Sequence, residues 1–197
     1  MVAEKPALLA HTLRFVTRGA WSTASSIRPA WRRQLAVPLS LYGLSCFAYT
    51  AVGLHAIALW MACPQAVPEW PARFALPEAT AVTIQGVWSF ASDVLNVGRD
   101  SHFHAIDRVS ALSLVALQLI KFGYLLPQAP SMQWMELASV WFGLAIGIVC
   151  KLRGFRAILD NSPTGFRRWH TLWHASMPLT FIVWHSSRWL GCDVCSA

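Results

Sequence analysis

The stretch RRWHTLWHASMPLTFIVWHSSRWL (167–190) decides how this chain is read. Its apolar run is long enough to cross a bilayer core, which takes about 20 residues. Yet it carries three imidazoles, His170, His174 and His185. An unsatisfied polar group in hydrocarbon costs several kcal/mol, so each ring needs a partner: a metal, a haem or other buried polar groups.

Working outward, the rest of the chain has the same character. Of 197 residues 55% are hydrophobic and 13% charged, with a mean hydropathy of +0.43. A soluble domain is roughly 45–50% apolar and roughly 25% charged, so the composition implies an integral membrane protein. Four further apolar stretches, at 35–62, 79–97, 104–125 and 134–152, join 169–190 to predict an all-α polytopic transmembrane helical bundle of about five spans. Its parts are a basic N-terminal segment (1–34), a membrane domain (35–190) and a Cys-containing tail (191–197). The connections CPQAVPEWPARFALPEAT (63–80), PQAPS (127–131) and DNSPTG (160–165) are rich in the residues that break regular structure. Gln85, Ser89, Ser92, Asp93 and Asn96 make the second span polar, which is tolerated where it faces other helices.

Charge sets an expected orientation. With alternating spans, 13 of the 16 Lys and Arg residues fall on the N-terminal side, leaving Arg73, Lys121 and Arg188 opposite. By the positive-inside rule the N-terminal side faces cytosol, matrix or stroma, and an organellar inner membrane fits as well. The net charge of +7 is then topological and directed at membrane lipids, and no nucleic-acid partner is expected. The segment KPALLAHTLRFVTRGAWSTASSIRPAWRRQ (5–34) has the Arg- and Ser-rich, acid-free composition of a surface-lying amphipathic helix or an organellar transit peptide.

Other residues have bland expectations. Cys46 and Cys150 are small hydrophobes within spans, while Cys63, Cys192 and Cys195 share the opposite side, where a disulfide to the tail is conceivable. Trp60, Trp70, Trp88, Trp134, Trp169 and Trp189 sit near span ends, as interfacial anchors do. Lys121 and Glu136 are expected at an interface, and Gly143-x-x-x-Gly147 permits close helix contact. Asp93 is the costliest isolated charge, expected in a structural pair, with metal or proton handling as the alternative.

The chemistry gathers at the N-terminal-side end of the bundle. The end of the second span (Ser92, Asp93, Asn96), the start of the third (His104, Asp107, Arg108) and the start of the fifth (His170, His174) reach one depth, within about two helical turns. His170 and His174 are four residues apart and share a helical face, as do His104 and Asp107, three apart. Two imidazoles with a third nitrogen or carboxylate would give three metal ligands and an open position, the form of a catalytic zinc site.

Ser92, Asp107 and His170-x-x-x-His174, in that order along successive spans, resemble the alkaline ceramidase, adiponectin-receptor and related superfamily of membrane hydrolases. That family carries Ser-x-x-x-His, a following Asp and a C-terminal His-x-x-x-His around zinc. The resemblance implies a zinc-dependent hydrolase of lipid-like amides with His170, His174 and His104 as metal ligands, Asp107 as proton acceptor and Ser92 orienting water or the oxyanion. Asn96 stands where the family has a histidine, which is why His104 is placed as the substitute ligand, the alternative being an inactive site. The family has seven spans against five here.

Two other readings stay open. His55 could face His185 in one layer while His104 faces His170 or His174 in another, the pattern of two stacked bis-histidine haems of b type; His174 and His185 lie ~16 Å apart along one helix. A small, basic, Trp-rich membrane protein without a soluble domain also fits a non-catalytic accessory subunit that contacts other membrane subunits in an energy-transducing complex.

Overall fold

The computed structural model describes residues 29–62, 72–99, 101–125 and 134–189; among these every regular element is helical. A 3-10 turn, Pro29–Trp31, leads into α1 (Arg32–Leu35), followed by α2 (Leu41–Ser45) and α3 (Ala48–Ala62). Then come α4 (Ala72–Phe90), which continues into a π-helical turn Ala91–Leu95, α5 (His102–Leu125), α6 (Trp134–Leu159) and α7 (Pro163–Trp189).

Two stretches are long and apolar enough to cross a membrane, Leu41–Ala62 and His102–Lys121. Only 22% and 6% of their apolar windows are buried inside the protein, too little for core helices of a soluble domain. Large apolar side chains face outward elsewhere too, among them Leu112, Ile120, Phe142, Ile148 and Leu179.

Helix ends differ from the expected ones for identifiable reasons. The first stretch starts at Leu41 rather than 35, because Pro38 interrupts the chain and Ser40 caps the new helix by accepting from the Gly43 N–H at 3.1 Å. The expected loop 63–80 is shorter, since α4 begins at Ala72 and carries Pro77 within it. The α6–α7 connection shrinks to Asp160–Ser162. Asn161 takes the left-handed conformation (φ 54°) that ends α6, and Ser162 accepts from the Gly165 N–H at 3.2 Å with Pro163 at the first helical position of α7. Positions 1–28, with most of the basic segment, lie outside the described residues, as do Cys63, Cys192 and Cys195. Trp31, near the end of that segment, is buried, as is Leu35 just after it.

Small residues let the helices approach. A Cβ on Gly86 would come within 2.9 Å of the Cys46 carbonyl oxygen and the Thr50 nitrogen, and the Thr50 hydroxyl donates to the Thr83 carbonyl at 2.8 Å, so α3 and α4 touch through backbone. A Cβ on Gly143 would run into Thr180, and one on Gly147 would sit 3.1 Å from Trp173, so the G-x-x-x-G faces α7. At the end where α1, α2, the π-turn and the α6–α7 connection meet, Trp31, Leu35, Tyr42, Cys46, Val94, Val97, Ala157 and Phe166 form an apolar cluster. On its rim, the guanidinium groups of Arg153 and Arg168 lie 5.9 and 5.7 Å from the Trp169 ring.

Lys121 corrects its expectation. Instead of reaching an interface it is buried at 1% exposure, its Nζ 3.0 Å from both carboxylate oxygens of Glu78 on α4, whose Oε1 also accepts from Gln118 at 2.7 Å. Removing one member of such a pair strands a buried charge. Lys121→Ala is expected to destabilise the protein by about 3–5 kcal/mol, and the double replacement E78Q/K121M by far less; thermal unfolding of the purified chain in detergent measures both.

Candidate functional site

The site is built on a local irregularity of α4. After Phe90 the helix widens into a π-turn, in which the Asn96 N–H bonds the Ala91 carbonyl at 3.1 Å, and one residue is thereby added to the turn. The Asn96 side chain donates to the same carbonyl at 2.7 Å. Asn96 is therefore a helix terminator and contributes nothing to a ligand set. The extra residue swings Asp93 toward α7, while Ser89, one turn earlier, stays directed at α5.

Asp93 is the hub. Its Oδ2 lies 2.7 Å from His170 Nε2 and 3.4 Å from His174 Nε2, its Oδ1 accepts from the Ser92 hydroxyl at 3.0 Å, and its backbone carbonyl accepts from the Tyr42 hydroxyl at 3.2 Å. The i,i+4 spacing of the two histidines delivers both rings to one carboxylate, with ring centroids 4.6 Å apart. His170 is further held between the Phe166 ring at 4.9 Å and the Tyr42 ring at 5.7 Å.

The opposite edge of His174 meets α2. The Ser45 hydroxyl lies 2.7 Å from the Tyr42 carbonyl and 3.3 Å from His174 Nδ1; when its hydrogen goes to Tyr42, it accepts from an Nδ1–H. A neutral ring would then turn the Nε2 lone pair toward the Asp93 carboxylate. That arrangement is attractive only with a proton on Nε2 or a metal cation between the two atoms. Cys46, the residue that ends α2, brings its sulfur to the same place: Cys46, Asp93 and His174 offer ligand atoms within 4.8 Å of one another, all three half-buried or buried.

The expected ligand trio is corrected here. His104 does not join His170 and His174, because both its nitrogens are occupied: Nδ1 meets the Ser92 hydroxyl at 2.8 Å, and Nε2 lies 3.2 and 3.1 Å from the Asn96 and Arg99 carbonyls. It ties the π-turn to the loop that follows. Ser92 accordingly serves His104 and Asp93. Asp107 is not among the three converging groups; its Oδ1 accepts from the Ser89 hydroxyl at 2.5 Å and from Gln85 Nε2 at 2.8 Å.

The residues missed in the sequence are Ser89 and Cys46, while Asp93, placed in the polar cluster, was expected in a structural pair rather than at the centre of the site. A signal for Ser89 was available: Ser89-x-x-x-Asp93 has the same spacing as Ser92-x-x-x-Asn96 and ends on a group able to bind metal. Cys46 gave none, since it lies far from the others in sequence. His55 is exposed on α3, and the side chain of His185 lies outside the described residues, so the proposed haem layer between them has no described geometry.

Removing the hub should uncouple α7 from the π-turn. Asp93→Ala leaves His170, His174 and the Ser92 hydroxyl without their shared acceptor, an expected loss of about 3 kcal/mol in chemical denaturation, and D93N, which keeps one acceptor oxygen, should lose less. Compared with family models, curated proteins and solved structures, the chain matches none.

Proposed function

We propose that this chain is a polytopic membrane protein whose buried His/Asp/Cys cluster binds a zinc ion and hydrolyses a lipid amide or ester. The observation that carries the reading is the convergence of Cys46, Asp93 and His174, from three separate elements, on one buried point. Three protein ligands of N, O and S type leave a fourth position for water, the form of catalytic rather than structural zinc sites. Zinc held there by Cys46, Asp93 and His174 would lower the pKa of a bound water to about 7 and would polarise a carbonyl.

The remaining residues take roles by position. His170, bonded to Asp93 Oδ2, orients that carboxylate. Asp107, held by Ser89 and Gln85, is the proton acceptor. The resemblance to the ceramidase and adiponectin-receptor superfamily is carried more fully by Ser89-x-x-x-Asp93, Asp107 and His170-x-x-x-His174 than by the register through Ser92, with Asp93 at the position of the family's histidine. Membrane insertion is supported by the two apolar helices and the outward-facing apolar side chains. On this reading the five stretches all cross, with the cationic end cytosolic or stromal.

A second reading has its own support. Asp93, His104, His170 and His174 all find partners inside the protein, as they would in a structural hub of an accessory subunit.

Metal analysis separates the two. The purified chain is expected to hold about one zinc per molecule, and H174A and D93A to hold less than a tenth of that. With metal retained, D107N should lower hydrolysis of an N-acyl lipid by about 100-fold, the size of a general-base contribution. Zinc-free wild-type protein, after zinc-supplemented purification, would leave the accessory reading.

A further inference from the structure

Beside the Asp93 cluster a cavity opens between α5, α6 and α7. Its wall carries Asp93 and His170 at one edge, Arg108 from α5 and Lys151 from α6 at another, and Phe166 and Trp173 from α7 between them. Arg108 is half-buried and Lys151 exposed, its ammonium 5.4 Å from the Trp173 ring. We infer that this cavity is the headgroup subsite for an anionic, phosphate-bearing lipid, with Arg108 and Lys151 gripping the phosphate.

Charge, depth and wall composition all lead there. The lining sets two basic side chains, Arg108 and Lys151, against the carboxylate of Asp93, and a divalent ion on Asp93 strengthens its preference for an anion. Arg108 follows Asp107 directly on α5, and Lys151 lies eight residues before the end of α6, so both are toward the end of the bundle that carries most of the basic residues. A planar guanidinium and a compact ammonium suit phosphate oxygens and repel the trimethylammonium of a choline group. Phosphate and carbonyl groups of a lipid are separated by only a few bonds. A headgroup held by Arg108 and Lys151 therefore sets its acyl linkage near the Asp93 edge, with Phe166 and Trp173 against the chain. The inference rests on the hydrolase reading for what happens to that linkage, and on the cavity alone for binding.

The test uses the purified full chain in neutral detergent and fluorescent short-chain phosphatidylglycerol and the matching phosphate-free diacylglycerol, followed by anisotropy. Each basic residue near an anionic lipid is worth about fivefold, so phosphatidylglycerol should bind roughly 25-fold more tightly, K151Q should remove about fivefold of this and R108Q/K151Q nearly all. Lys151 is exposed, so K151Q reads the site without disturbing the core. Displacement by millimolar inorganic phosphate assigns the same cations to a soluble phosphate and overturns the lipid source; failure to displace keeps the lipid. Zinc is measured on the same samples. Lost discrimination in R108Q/K151Q with unchanged zinc content supports the subsite, while discrimination in zinc-free wild-type protein keeps the subsite and ends the hydrolase reading. Equal affinity for the two lipids, or discrimination unchanged in both variants, overturns the inference.

Discussion

A single buried carboxylate, Asp93, sets the arrangement of this end of the molecule. An ionised carboxylate removed from water is tolerated only with compensating donors or cations. Asp93 has them from α7 through His170 and His174, and from its own turn through Ser92. Its backbone carbonyl receives Tyr42 from α2. The same group that needs these partners thereby fixes the rotation of α7 and the seat of α2 against the π-turn. A metal reading and a structural reading both start from this point, because the place where His174 Nε2 faces the carboxylate suits either a cation or a ring N–H.

The polar residues of α4 run beyond Asp93. Glu78, Gln85, Ser89 and Ser92 are all buried and return at intervals of seven, four and three residues, which keeps them on one helical face. Across from them α5 supplies Lys121 and Gln118, then Asp107, then His104. The two helices are thus joined by polar pairs at three levels, while apolar side chains point away from the contact. In such an inside-polar, outside-apolar pair the polar atoms of each helix are satisfied by its neighbour. The Glu78–Lys121 pair was not expected because Glu78 stood in a proline-rich segment read as loop; Pro77 is accommodated in the helix, and the helix carries Glu78 inward.

The π-turn accounts for the largest change in the site. In an uninterrupted α-helix, Ser92 and Asn96 share a face, and the family-like register runs through them. An added residue after Phe90 breaks that equivalence. It leaves Ser89 facing Asp107, turns Ser92 to His104, and moves Asp93 to the histidines of α7. Asn96 closes the turn with two bonds to the Ala91 carbonyl. A polar run such as SFASDVLN contains all the required groups, and periodicity alone assigns them to the wrong partners.

What the chain's sequence determined by itself was its helical, apolar character, the pairing of His170 with His174 on one face, and the gathering of basic residues at one end. These follow from composition and from the helical repeat, which are local properties. Tertiary structure alone decided which carboxylate the imidazoles meet, that Cys46 joins them, that His104 is spent on the Asn96 and Arg99 carbonyls, and that Lys121 is paired inside. Those outcomes depend on helix rotation and on one inserted residue, and a shift of a single position along a helix turns a side chain by about 100°, more than enough to exchange one partner for another.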